Sequence, residues 1–296
     1  MLIARSAVGP RGRRRSGPSC SPPRVSMAQS AHDAEGLPPF SKTRFGWFMA
    51  YVRWYFRRHF HALRLLGGMQ PALADRPVII YTNHPGWWDP LLFLLLAGHY
   101  YPQRMNYGPI EAGSLGRYRF LESIGFVGIE PGTWRGSKRF LAAAAASMRR
   151  SDTIFWITSQ GEFVDPRRRP VRLRPGVGHA VAAAGSGLVV PLAIEYPFWS
   201  ERLPEALAAF GEVIEIESGP LRRPDAWNEL LEARLASTQE RLAAAAIRRD
   251  PAAFHTVAVG RVGIGGIYDC IRWASAKLEG RRFDPSHAGE EQGGRP

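Results

Sequence analysis

The chain has 296 residues, 45% of them apolar and 11% aromatic, enough for a buried core and too many for whole-chain disorder. Its formal net charge of +13 points to anionic partners: a lipid surface, nucleic acid or acidic protein. Two cysteines, Cys20 and Cys270, exclude a disulfide framework and a cysteine-built zinc site, and suit a reducing compartment.

Residues 1–26 hold Arg5, Arg11, Arg13, Arg14, Arg15 and Arg24 and no acid, and taking these six away lowers the net charge from +13 to +7. The stretch is rich in Ser, Pro and Gly and lacks the apolar core of a secretory signal. It predicts a disordered basic tail over residues 1–40, within which Met27 offers an alternative start.

Residues 44–66, RFGWFMAYVRWYFRRHFHALRLL, interleave large apolar and aromatic side chains with five arginines and no acid. The pattern predicts an amphipathic, membrane-facing helix over 41–68, with Trp and Tyr at headgroup level. An ordinary core-packing helix is the competing reading, and the one-sided charge weighs against it. No apolar run nears the ~18–20 residues needed to cross a bilayer, the longest being Leu91–Ala97. The chain is expected to lie on the cytoplasmic face of a membrane.

Further along, Val78–Thr82 reads as a strand, 89–98 as a helix, Phe126–Ile129 as a strand and 135–150 as an Ala-rich helix. Thr153–Thr158 is a strand, 176–185 a helix, Leu188–Tyr196 and Glu212–Ile216 strands, and 225–249 a long helix. A glycine-containing loop over 251–266, a short helix over 267–279 and a polar tail over 281–296 complete the chain. Strands alternating with helices predict an α/β fold, a single domain over 69–280 with a central mixed sheet flanked by helices.

The chemistry concentrates in residues 81–90, YTNHPGWWDP. A strand ends at Thr82, Pro85 and Gly86 turn the chain, and Asp89-Pro90 opens a helix as N-cap and first helical residue. The turn allows the Asp89 carboxylate to reach back to the His84 imidazole, fix its tautomer and leave the other ring nitrogen as a base. Such a base can take a proton from an alcohol attacking a carbonyl. Taken singly, Asp89 reads as a helix cap and His84 as a loop histidine.

Asn83, His84 and, after four residues, Asp89 resemble the hallmark of the glycerolipid acyltransferase family, best known for 1-acylglycerol-3-phosphate acyltransferases. Three later blocks follow in order: Gly125–Glu130 (GFVGIE), Thr158–Phe163 (TSQGEF) and Val189–Ile194 (VVPLAI). The resemblance implies an acyltransferase with His84 and Asp89 as catalytic pair, no cofactor or metal, and acyl-CoA or acyl carrier protein as donor. Two family arginines associated with the acceptor phosphate are absent: Glu130 stands in the second block, and Gln160, Gly161, Glu162 and Phe163 rewrite the third. Arg172 and Arg174, within RRRPVRLR, are candidate replacements, and a solvated basic loop is the alternative. Asn83, Gln160 and Gly161 are further candidate substrate contacts, Gln160 as an amide donor and Gly161 through backbone amides that would meet an oxyanion.

Two other classes are weaker. A non-catalytic basic membrane binder would explain the altered third block but not Asn83, His84 and Asp89 together. Nucleic-acid binding lacks any recognised motif, and the charge sits on a tail, one helix and one loop. Gly176-Val177-Gly178 has no third glycine at dinucleotide spacing, and no Gly-x-Ser-x-Gly elbow is present.

Overall fold

The computed structural model describes residues 36–68, 70–219, 223–261 and 277. The expected tails, apart from residues 36–40, and the expected helix over 267–279, apart from Lys277, lie outside them.

Helix α1 (Lys42–His59) leads into β1 (Ala62–Leu66). Strand β2 (Val78–Thr82) is followed by α2 (Asp89–Tyr100), β3 (Met105–Glu111), α3 (Ala112–Arg117), a 3-10 segment (Arg119–Ile124) and β4 (Phe126–Ile129). Then come α4 (Trp134–Met148), β5 (Thr153–Thr158), α5 (Pro175–Ala184), β6 (Leu188–Glu195), β7 (Glu205–Phe210) and β8 (Ile214–Glu215). The long α6 (Pro224–Arg248) and β9 (Phe254–Val259) finish the described chain.

All nine strands belong to one mixed sheet ordered β4-β3-β5-β2-β6-β7-β1-β9, with β8 paired to β6. Strands β4, β3, β5, β2 and β6 are mutually parallel, whereas β7 runs antiparallel to β6. The α/β fold with a flanked mixed sheet is therefore present as read.

Every residue of β2 is buried, as a central strand covered on both faces requires. Alternation divides its side chains: Val78 and Ile80 join the core under α1 and α2, Ile79 and Tyr81 the core under α4, α5 and α6. The Tyr81 hydroxyl also donates to the Leu231 carbonyl of α6 at 3.0 Å. The five parallel strands end on one edge, so the segments after Thr82, Glu111, Ile129, Thr158 and Glu195 converge there. Open α/β sheets bind ligands at this edge.

Several expectations require correction. The helix read over 41–68 stops at His59; Phe60 is extended, and Ala62–Leu66 is an inner strand between β7 and β9. Leu63 and Leu65 are buried in the core under α2, so this stretch is part of the sheet, not an appended helix. The sequence pattern predicts neither β3 nor β7. Gly108 and Pro109 disguise β3, while EALAAF has helix-favouring composition yet buries all six residues as a strand. Glu212–Ile216 is a strand only at Ile214–Glu215, and the loop read over 251–266 contains β9.

Candidate active site

Asp89 decides between a cap and a partner for His84. The residue opening α2 is Trp88, whose side chain makes no capping bond, and Asp89 is the first helical residue. Its carboxylate turns back into the loop. His84 Nδ1 donates to Asp89 Oδ2 at 2.5 Å, and the Tyr196 hydroxyl donates to Oδ1 at 2.7 Å. The Gly86 N–H approaches Oδ2 at 3.4 Å. A carboxylate only accepts, so Nδ1 carries a proton, and in the neutral imidazole the lone pair is then on Nε2.

The pair is held from several directions. The His84 N–H donates to Gln160 Oε1 at 2.8 Å, and its carbonyl accepts from the Val164 N–H at 2.9 Å. Phe163 sets its ring against the imidazole at 4.7 Å in an edge contact. The segment after β5 thus clamps the segment after β2, and Ser159 Oγ tightens this by donating to the Thr82 carbonyl at 2.7 Å.

Asp89 is wholly buried, whereas the His84 side chain keeps 17% of its surface. Burial pushes the Asp89 carboxyl above its ordinary range, and the bonds from His84, Tyr196 and Gly86 pull it back. Burial, and then the neighbouring carboxylate, push the Tyr196 phenol well above its ordinary range, so it stays a donor.

His84 borders a groove of about 1230 Å³. One wall follows α2 through Pro90, Phe93, Leu94 and Ala97. Phe93 stacks on Trp156 of β5 at 5.4 Å, and Trp156 Nε1 donates to the buried Asn106 Oδ1 at 2.9 Å, which fixes the ring in the floor. The rim is polar, with Glu111, Glu130, Ser137, Arg174 and His179. An apolar trough beneath a base and a polar rim is suited to a hydrocarbon chain ending in a reactive head.

The chain is similar to the 1-acyl-sn-glycerophosphate (LPA) acyltransferase of Thermotoga maritima, at 12% identity and a TM-score of 0.46, over 69% of this chain and 79% of that one. No family model matches the chain, and no curated protein matches it.

The sequence-predicted residues separate into groups. His84 and Asp89 are bonded as expected. Asn83 is fully buried and out of a substrate's reach: Nδ2 donates to the Ile194 carbonyl and Oδ1 accepts the Ile194 N–H, both at 2.9 Å. It ties the His84 loop to β6, where a substrate contact was expected. Gln160 spends its oxygen on the His84 N–H, leaving only the amide nitrogen as a donor. The Gly161 N–H is also spent, on the Thr158 carbonyl at 3.2 Å, so it offers nothing to an oxyanion.

Of the two arginines, Arg174 borders the groove. Arg172 is turned to α6, where it pairs with Glu232 at 3.1 Å, and is not among the residues that line the groove. Tyr196 was missed. The available signal was parity: Leu192 and Ile194 lie in the core under α2, so two residues on, Tyr196 falls on the face from which Asp89 enters. Among the described residues no three His, Cys, Asp or Glu side chains gather closely enough to hold a metal ion.

Proposed function

We propose that the chain is an O-acyltransferase that moves a fatty acyl group from an acyl thioester, carried by coenzyme A or acyl carrier protein, to a lipid hydroxyl at the cytoplasmic face of an anionic membrane. The observation that carries this reading is the His84–Asp89 pair at the mouth of an apolar groove. His84 Nε2 takes the proton of the acceptor hydroxyl as its oxygen attacks the thioester carbonyl. Asp89 holds the imidazole and stabilises its cation. The C–S bond then breaks, and the departing sulfur recovers the proton from His84 as the free thiol. Positioned proton transfer of this kind contributes roughly 10²–10⁴-fold.

A lysophospholipid such as 1-acylglycerol-3-phosphate is the proposed acceptor, with Arg174 as the cation for its phosphate. A second acceptor class has its own support: Glu130 stands on the groove rim, where a carboxylate repels phosphate, and Arg172 is spent on Glu232. That class is a non-phosphorylated acceptor such as a glycolipid or terpenoid glycoside.

Membrane docking is proposed through α1. Trp47, Tyr51 and Trp54 are exposed on it, beside Arg53, Arg57 and Arg58. Ring contacts continue from Phe120 through Phe48, Tyr51, Tyr55 and Trp88 to Trp87 at the groove mouth. Aromatic rings beside arginines suit an anionic headgroup layer. Among the described residues no helix is long and apolar enough to cross a membrane.

The test is a grid of acyl-CoA and acyl carrier protein donors against phosphorylated and non-phosphorylated acceptors, with products read by mass spectrometry. Ester formation by the native chain and its loss in His84→Ala are expected. Near-native transfer by His84→Ala would overturn the mechanism. Vesicle binding without transfer from any donor would identify a non-catalytic membrane binder.

A further inference from the structure

Asp89 presents two oxygens, and His84 uses one of them. Tyr196, at the end of β6 and 107 positions from Asp89 in sequence, donates its hydroxyl to the other at 2.7 Å. The carboxylate is fully buried, so each lone pair without a donor raises the cost of keeping its charge. Among the described residues no arginine or lysine is bonded to it: besides Tyr196 and His84, the carboxylate meets the Gly86 N–H, at 3.4 Å.

The phenol is held in place by the same core that seats α2. Tyr196 packs against Phe60 with ring centroids 5.7 Å apart, and Phe60 meets Trp88 edge-on at 4.9 Å. Trp88 directly precedes Asp89. The rings just after α1, just after β6 and just before α2 therefore set the hydroxyl and carboxylate together, and the tyrosine cannot leave its partner without disturbing that stack.

We infer that Tyr196 is the third member of the site, a positioning residue that keeps the buried Asp89 carboxylate ionised and aimed at His84. It touches no substrate and acts through Asp89. This deepens the proposed reaction, because it says which group sets the pH at which the base becomes available. Without the phenolic donor the carboxylate is more basic. A more basic carboxylate both protonates more readily and draws a proton more strongly onto His84. The pair as a whole then takes up a proton at higher pH.

Among the described residues, the groups facing Asp89 that titrate are His84 from its own loop and Tyr196 from just past the end of β6. Just after α1, Phe60 faces Tyr196 and cannot titrate, while His59, the last residue of α1, meets Trp88 at 5.3 Å. Glu195, the last residue of β6 and the one before Tyr196, has Arg169, Arg167 and Asp165 as its charged neighbours. Among the described residues, His84 is the one charged or chargeable group besides Tyr196 that acts on the Asp89 carboxyl.

The experiment follows the His84 ring by NMR titration of the full chain, with its signals assigned by their absence in His84→Gln. In Tyr196→Phe the protonation midpoint of the pair is expected to rise by about one pH unit, roughly a tenfold change in proton affinity. In a chain carrying 3-fluorotyrosine at 196, whose phenol is a stronger donor, it is expected to fall. Opposite shifts from two near-isosteric rings cannot come from loss of packing. An unchanged midpoint in both variants, or a shift of the same sign, would overturn the inference.

Because the titration needs no substrate, its outcome is independent of whether acyl transfer is the reaction. Where transfer is measured, the acid limb of kcat should move upward in Tyr196→Phe with KM for the acceptor unchanged. A KM change alone would make Tyr196 a substrate contact and sink the positioning role.

Discussion

Arg174 lies across the backbone of Gly161: a Cβ at position 161 would come within 2.8 Å of Arg174 Cγ and 3.1 Å of Nε. Gly161 also has a φ of +68°, a region that L side chains enter at a cost of about 1–2 kcal/mol. Gly161→Ala should therefore act twice. The strained backbone should lower Tm by roughly 2–8 °C. The displaced guanidinium should raise KM for a phosphorylated acceptor. Arg174→Ala should reproduce the KM effect without the loss of Tm. An acceptor KM unmoved by both variants would remove Arg174 from the acceptor site.

Asp89→Asn should separate stability from activity. Because burial raises the carboxyl above its unfolded value, the folded state binds that proton more tightly. Keeping Asp89 ionised thus weighs against the fold at neutral pH; the penalty starts to fade as pH falls through the raised folded value and is gone below the ordinary carboxylate range. The variant should melt no lower than the native chain at pH 7, and its advantage should shrink in acid. Activity should collapse by roughly 10²–10⁴-fold. The reason is geometric. Tyr196 donates and so claims the new amide's oxygen, which turns the amide NH2 towards His84 Nδ1 and moves the ring proton to Nε2. Paired melts at two pH values and single-turnover assays check both halves.

What was legible in the sequence was local. His84 and Asp89 are five residues apart, with the turn between them written in Pro85 and Gly86. The central strands announced themselves by β-branched runs, as in Val78–Thr82 and Thr153–Thr158. Two kinds of feature were hidden. EALAAF has the composition of a helix, and only its place between β6 and β1, where small residues fit under α6, makes it a strand. Asn83 and Tyr196 depend on partners more than 100 positions away. Nothing near Asn83 says that its amide would meet the backbone of Ile194 instead of a substrate.

The exposed face of α1 can be altered without touching the core, because Met49, Val52 and Phe56 carry its packing. Replacing Arg57 and Arg58 with Gln should weaken binding to phosphatidylglycerol-containing vesicles roughly 10–30-fold at low salt, at about 1 kcal/mol for each basic residue at an anionic surface. Trp47→Ser with Trp54→Ser should weaken it further and remove the part that persists at high salt. Tm should stay within about 1 °C, since surface changes of this kind usually alter stability little. Co-sedimentation at two salt concentrations tests this. Full binding by the four-residue variant would transfer the docking face elsewhere.

Asn83→Ala tests whether this residue serves substrate or scaffold. Its amide satisfies both the N–H and the C=O of Ile194, at a position with no exposed surface. Truncation strands two buried backbone groups, which should cost about 2–4 kcal/mol in unfolding free energy, measurable by urea titration. The same two bonds span the site: Asn83 is followed by His84, and Ile194 is followed, two residues on, by Tyr196. Loosening them lets the imidazole and the phenol drift apart around Asp89. The expected signature is a large loss of stability and a lower kcat, with acceptor KM close to native. A substrate contact would give the reverse, a raised KM in a protein of native stability, and that result would return Asn83 to the binding site.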